Sequence, residues 1–529
     1  MDCLSATPAS SIEPNTIQAT GRPYPALSIP EVLLEVLENL SAQQLESAAL
    51  VCRAWVNPAM DTKWRVTGIP LSRLLGKLAP IKSNQSSHKV LAHKKPITQD
   101  AWNHFLNQYA NRVTKLVVDI YIDLNVIATL VGRFGGPFCS NISSLEWSIS
   151  SCSIDYFGIL MDLALGVRVR QVSLPYVHDA GMMTVSPPSQ YMPLLALRAP
   201  NISKITMDGP TGSFDYRVFS KLVFLSHTGA LSQSDYKNLS SCSHLQVLQL
   251  GWAGTDERHE VDTTAVTFPR LRELSILEAT DELEAVMHPT TTPDLHTLRY
   301  SRPYSWKGEL TCPLLNHILK TSPFLNEVII YGRIPSSQLE LATHDGVQAL
   351  SFSNISDTGS DMEVGDLSRI GHAFPKLKRL ILYINRYGSR GPHSYSWHWS
   401  TLPSLVSHFQ HLQHLTISLH VPVSSLSGTI TSSSIPTLGS LSSITFIRLH
   451  IQAADLDTFA QYLAALCPNV QSMEFTYLGG MSEDGTRIFL HDAGAFIDKF
   501  FGYRDQRDEV GSLDTRENGD TVCAESTPS

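Results

Sequence analysis

Along most of this chain the apolar residues recur in one phrase, L-x-x-L-x-L. It first occurs as Val113-Leu116-Val118 and last as Val470-Met473-Phe475, fourteen times in all. Instances between them include Val169-Val172-Leu174, Phe219-Leu222-Phe224, Leu245-Leu248-Leu250, Leu377-Leu380-Leu382 and Ile444-Ile447-Leu449. The last two apolar residues of each phrase are two apart, the alternation of a strand with one buried face. Between phrases the spacing changes to three and four, as in Leu314-Leu315-Ile318-Leu319 and Leu456-Phe459-Leu463-Leu466. That spacing gathers apolar side chains on one face of a helix. Pro323, Pro375 and Pro468 follow such stripes and stop the helices. A strand plus a helix is too small to close a core, so neighbouring units must stack. The pattern predicts an α/β repeat solenoid.

Ahead of the array, residues 28–64 predict three short helices. Ser28 to Glu31 reads as a capping box with Pro30 in the first turn, followed by Val32, Leu33, Val36, Leu37 and Leu40 at helical spacing. Ser41 to Gln44 reads as a second capping box, and Leu45, Ala48, Leu50 and Val51 supply the next apolar face. Asn57-Pro58 predicts the start of a third helix running toward Trp64. Three helices this short bury little surface alone and need something to pack against.

Two resemblances follow from these residues. The run Ile29-Pro30-Glu31-Val32-Leu33, Val36-Leu37, Leu40, Leu45, Leu50-Val51-Cys52-Arg53, Trp55 and Trp64 resembles the F-box domain, with Ile29 in place of the usual leucine. That resemblance implies a small all-α three-helix module that binds the Skp-type adaptor of SCF ubiquitin ligases and, through it, a cullin–RING assembly. The adaptor contacts it implies are Ile29, Pro30, Leu33, Val36, Leu37, Leu40, Leu50, Val51 and Trp55. The array, with a mean period of about 27 residues from Val113 to Val470, resembles leucine-rich repeats of about 20–29 residues. It implies a degenerate leucine-rich-repeat horseshoe. The asparagine expected three residues after each phrase occurs clearly only at Asn385, so the family's buried asparagine ladder is mostly missing.

The expected organisation is a disordered N-terminus (1–23), an F-box (24–70), a linker (71–97), the solenoid (98–480), a C-terminal cap (481–503) and a disordered acidic tail (504–529). The linker rests on the polar, basic run at 81–96. The cap rests on the apolar run at 486–503.

Composition narrows the function. With 43% hydrophobic and 17% charged residues the chain is expected to be folded, and a formal charge of −9 argues against a nucleic-acid partner. No membrane partner is expected, because no run approaches the roughly 18 apolar residues of a spanning helix. A cytoplasmic or nuclear location is expected, because the first 27 residues lack a signal-peptide pattern. The eight cysteines form no C-x-x-C pair or zinc-spaced cluster and read as buried thiols. G-x-S-x-G, H-E-x-x-H, P-loop and G-x-G-x-x-G motifs are absent, so no catalytic residue, metal site or cofactor is expected and the chain reads as a non-enzyme.

Loops leaving the strands carry aromatic and basic residues, the composition of binding hot spots. The candidates for substrate contact are Trp252, Tyr304, Trp306, Arg386, Arg390, Tyr395, Trp397 and Trp399. For Trp397 and Trp399 the alternative is that they fold back over a repeat edge. The expected function is the substrate-recognition subunit of an SCF-type ligase, with an unidentified protein substrate. The alternative is a leucine-rich-repeat scaffold or regulatory binding module that serves no SCF ligase.

Overall fold

The computed structural model describes residues 29–506, except for connecting segments of which the longest are 179–190, 252–264, 302–312, 385–396, 422–436 and 478–493. Expectations for the disordered N-terminus and for all but the first residues of the acidic tail therefore lie outside the described residues. The chain forms two compact units, Met1–Ser148 and Ile149–Ser529.

The first unit opens with three helices, α1 (Pro30–Glu38), α2 (Ala42–Ala49) and α3 (Arg53–Val66). Leu33, Leu37, Leu45, Ala48 and Ala59 form their shared core, with Leu40, Ala49 and Trp55 packed against it. The capping box at Ser41 is present: the Gln44 N–H donates to Ser41 Oγ (3.4 Å) and the Ser41 N–H donates to Gln44 Oε1 (2.8 Å). Two expected helix starts differ. The N-cap of α1 is Ile29, with no side-chain cap, and Ser28 lies outside the described residues. Helix α3 begins at Arg53 and carries Pro58 inside it. The ring there removes one i→i−4 bond, yet the helix runs on to Val66.

Three parallel strands follow, β1 (Ile69–Pro70), β2 (Lys115–Val118) and β3 (Ser144–Trp147), in that order across the sheet. Residues 69–78 join the helices to these strands. Ile69 and Pro70 pair with Leu116 and Val117, and helix α4 (Leu71–Leu75) buries Leu71, Leu74 and Leu75, with Leu78 buried after it. These leucines stand at i, i+3, i+4 and i+7, one face of a helix. The three helices are thus fixed to the first strands. Trp64 packs on Tyr109 at 5.3 Å, the Thr114 hydroxyl donates to the Arg65 carbonyl, and Arg112 pairs with Asp61 at 3.1 Å. Gly68 allows the close approach, since a Cβ there would lie 2.7 Å from Val117 Cγ2. Asp119 accepts from both the Ser72 N–H (3.0 Å) and the Ser72 hydroxyl at the start of α4. Asp119→Ala is expected to cost about 1–2 kcal/mol, the usual loss of a helix cap, read from the midpoint of urea unfolding.

The second unit is built on twelve parallel strands. They are β4 (Gln171–Leu174), β5 (Lys204–Met207), β6 (Phe224–His227), β7 (Val247–Leu250), β8 (Glu273–Ile276) and β9 (Thr297–Ser301), then β10 (Glu327–Tyr331), β11 (Ala349–Asn354), β12 (Arg379–Ile384), β13 (His414–His420), β14 (Ser443–His450) and β15 (Ser472–Tyr477). The register aligns one buried residue per strand: Val172, Ile205, Leu225, Leu248, Leu274, Leu298, Val328, Leu350, Leu380, Leu415, Ile444 and Met473. This row is the spine of the unit. A strand-rich parallel region consistent with a repeat solenoid therefore follows the helices.

The register corrects two phrases, each by three residues. Leu222-Leu225-His227 occupies the place expected for Phe219-Leu222-Phe224, so Phe224 lies on the open face under the Lys204 ammonium, 4.5 Å from its ring. Likewise Leu441-Ile444-Phe446 replaces Ile444-Ile447-Leu449, because a register shift after Ile417 leaves Ile447 without a partner in β13. In the second buried row, polar atoms occur at His227 and Tyr300. His227 Nδ1 lies 3.2 Å from the Tyr216 hydroxyl, and the Tyr300 hydroxyl donates to the buried Glu284 carboxylate.

The missing asparagine ladder is replaced by a different device. Side chains just ahead of a strand donate to a carbonyl of the preceding repeat: Asn201 to Val167 (2.7 Å), Asn469 to Gly439 (2.6 Å) and Ser442 to Gln413 (3.0 Å). Asn141 does the same to Asn111 (2.6 Å) in the first unit. At the far end, a helix over 494–506 sets Phe496 against Phe459 and Phe475, each 5.9 Å away. Lys499 and Tyr503 both bond Asp457 at 2.8 Å, which holds its carboxyl below the usual range, mainly through the Lys499 ammonium.

Candidate functional site

The three N-terminal helices leave large apolar side chains in water. Leu50 is 86% exposed and Val51 65%, and Ile29, Val32, Val36 and Val56 are also exposed. Small soluble folds rarely leave so many in one short segment. Ile29, Val32 and Val36 form one stripe along α1, each three or four residues from the next. Leu50 and Val51 sit in the turn between α2 and α3. They are exposed because the α2 face has ended and nothing in the bundle covers this turn.

The residues implied as adaptor contacts divide by burial. Ile29, Pro30, Val36, Leu50 and Val51 are exposed. Leu40 and Trp55 are partly buried against the core, while Leu33 and Leu37 lie within it. Leu33 and Leu37 are thus packing residues here, about 100° around α1 from Val32 and Val36. Val32 and Val56 are exposed but were absent from the implied set. For Val32 the signal was its place one turn from both Ile29 and Val36.

Ion pairs fasten the bundle beneath this face. The Lys63 ammonium, on a buried side chain, bonds Glu46, and Arg73 reaches the same carboxylate at 3.3 Å. Arg65 bonds Glu38. The Lys63 hydrogen bond, aided by its charge, holds the Glu46 carboxyl below the usual range. A carboxyl lowered on folding adds stability above its unfolded pKa, and loses it as pH falls through the lower folded value. Glu46→Gln is therefore expected to be less stable than the wild type near neutrality, with the two curves converging in acid. Thermal unfolding across pH 3–7 (roughly the range over which carboxylates titrate) reads this.

Of the candidate substrate contacts, Trp397 and Trp399 lie among the described residues. Trp252, Tyr304, Trp306, Arg386, Arg390 and Tyr395 lie outside the described residues. Trp397 and Trp399 are only 5% and 4% exposed, buried in the fold and not presented at its surface. Trp397 pairs with Leu419 of β13, and Trp399 packs edge-on against Tyr462 at 5.0 Å. Aromatic burial outweighs any surface role because the rings cover the last repeats' interior. Burial pushes the Cys139, Cys152, Cys242 and Cys467 thiols up, which keeps them from acting as thiolates. Among the described residues no three His, Cys, Asp or Glu side chains could hold a metal ion, and no helix is long and apolar enough to cross a membrane.

A family model described as F-box-like matches residues 30–66, the span of α1 to α3. Residues 30–66 are an F-box-like domain, a kind of module that binds Skp-type adaptors in cullin–RING ligases. No curated protein matches the chain.

Proposed function

We propose that this chain is a substrate-recognition subunit of an SCF-type ubiquitin ligase. The supporting observation is the uncovered apolar surface of the F-box-like helices, with Leu50 at 86% exposure. An adaptor would cover Ile29, Val32, Val36, Leu50, Val51 and Val56, and Pro30 would set the start of the α1 stripe. The strand array is read as a leucine-rich-repeat horseshoe that holds a target protein. Trp252, Tyr304, Trp306, Arg386, Arg390 and Tyr395 remain proposed contacts on its loops. The chain would act by proximity, raising the target's effective concentration near ubiquitin-transfer subunits, with no chemistry of its own.

Mixing the purified full chain with a Skp-type adaptor tests this reading. A stable complex on size-exclusion chromatography is expected. Failure to form one would favour a scaffold outside SCF ligases.

A further inference from the structure

The open face of the sheet in the second unit is not uniform. On β10 and β12 the buried residues Val328, Ile330, Leu380 and Leu382 alternate with Ile329, Tyr331, Ile381 and Tyr383, which stand on the opposite face. Between these two strands, β11 offers only small side chains to that face. Ser351, half-buried, sits between Ile329 and Ile381, and Ser353, which is buried, between Tyr331 and Tyr383. The result is a trough with a floor of serines and two walls of matched aliphatic and aromatic residues.

Strand spacing sets its width. Walls two strands apart are separated by about 10 Å between backbones, which suits a single extended chain. A helix of about 10–12 Å with its side chains would not enter. Side chains two apart along an extended peptide repeat every roughly 6.6 Å, the same step that separates Ile329 from Tyr331. The charge is also uneven. Arg299 aligns with Ile329 on the neighbouring strand, and Arg379 stands two residues before Ile381. Both arginines are exposed, and neither has an ion-pair partner among the described residues. Glu327, on β10 and in register with Arg379 across Ala349, accepts the Thr297 hydroxyl at 3.4 Å.

We infer that this trough binds an extended acidic segment of a partner protein, with an apolar residue seated over Ser351 and a carboxylate two residues away meeting Arg379 or Arg299. The inference rests on the proposed receptor role and adds the chemistry of what the array holds.

A display library of random peptides, selected on the purified full chain, tests it. Enriched peptides are expected to carry an apolar residue with Asp or Glu two positions away. Ser351→Phe, which fills the floor, should weaken them about tenfold or more. Arg299→Glu with Arg379→Glu should do the same, and peptides with Lys in place of the acid should then bind. Unchanged thermal unfolding of both variants checks that the sheet is intact. No such enrichment, or binding indifferent to both variants, overturns the inference. Adaptor capture measured in parallel keeps the two readings apart. Capture without peptide enrichment overturns the trough alone, whereas peptide binding without capture overturns the ligase role.

Discussion

A chain carrying Leu50→Asp and Val51→Asp is expected to lose adaptor capture while unfolding at nearly the wild-type temperature. Both side chains are mostly in water in the free protein, 86% and 65% exposed. Removing them leaves no cavity, and surface changes of this kind usually fall within about 0.5 kcal/mol. In the complex the arithmetic reverses. Burying a Leu or Val side chain contributes roughly 1.5–3 kcal/mol, so two together account for at least about a hundredfold in affinity. The aspartates add the cost of desolvating charge. Titration calorimetry against the adaptor, beside differential scanning calorimetry of the free chain, reads both halves. A variant that still binds tightly would show that this turn is not the contact. Leu33→Ala and Leu37→Ala would not make the same test, because they hollow the bundle core and confound binding with folding.

Leu350→Ala is expected to destabilise the second unit by about 2–5 kcal/mol, the range for truncating a buried leucine. Leu350 is buried in the middle of the spine, in register with Val328 on one side and Leu380 on the other. Close packing on both sides limits collapse of the cavity. The measurement is the shift in guanidinium midpoint at unchanged slope. Ser351, one residue on, points to the opposite face, so the same truncation there should scarcely register.

The strand-and-helix rhythm was legible because burial on one face leaves a two-residue alternation in any sequence. Frame was less legible. At 219–227 a histidine takes a core position where the pattern predicts an apolar residue, and Tyr216 supplies the bond that makes His227 tolerable there. At 441–449 both Phe446 and Ile447 are apolar, and only pairing with β13 shows which one faces inward. Leu71, Leu74, Leu75 and Leu78 showed a helical stripe plainly, yet their attachment to the first strands is a long-range fact. Within the F-box-like helices the motif identified the module. It could not separate Leu33 and Leu37, which hold the bundle together, from Ile29 and Val36, which do not. That distinction depends on which side of α1 meets α2 and α3.

The strand β1 is two residues long, lies at the outer edge of its sheet and ends in Pro70, which has no N–H to offer. A strand so short and so terminated gives another chain almost nothing to pair with. In the second unit the last strand, β15, is six residues long and lacks such protection of its own. The helix over 494–506 is what lies against it, clamped through Asp457 and seated on Phe459 and Phe475. A chain cut after Tyr477 would therefore leave the border of β15 open to pairing. Its self-association should then run through pairs joined β15 to β15.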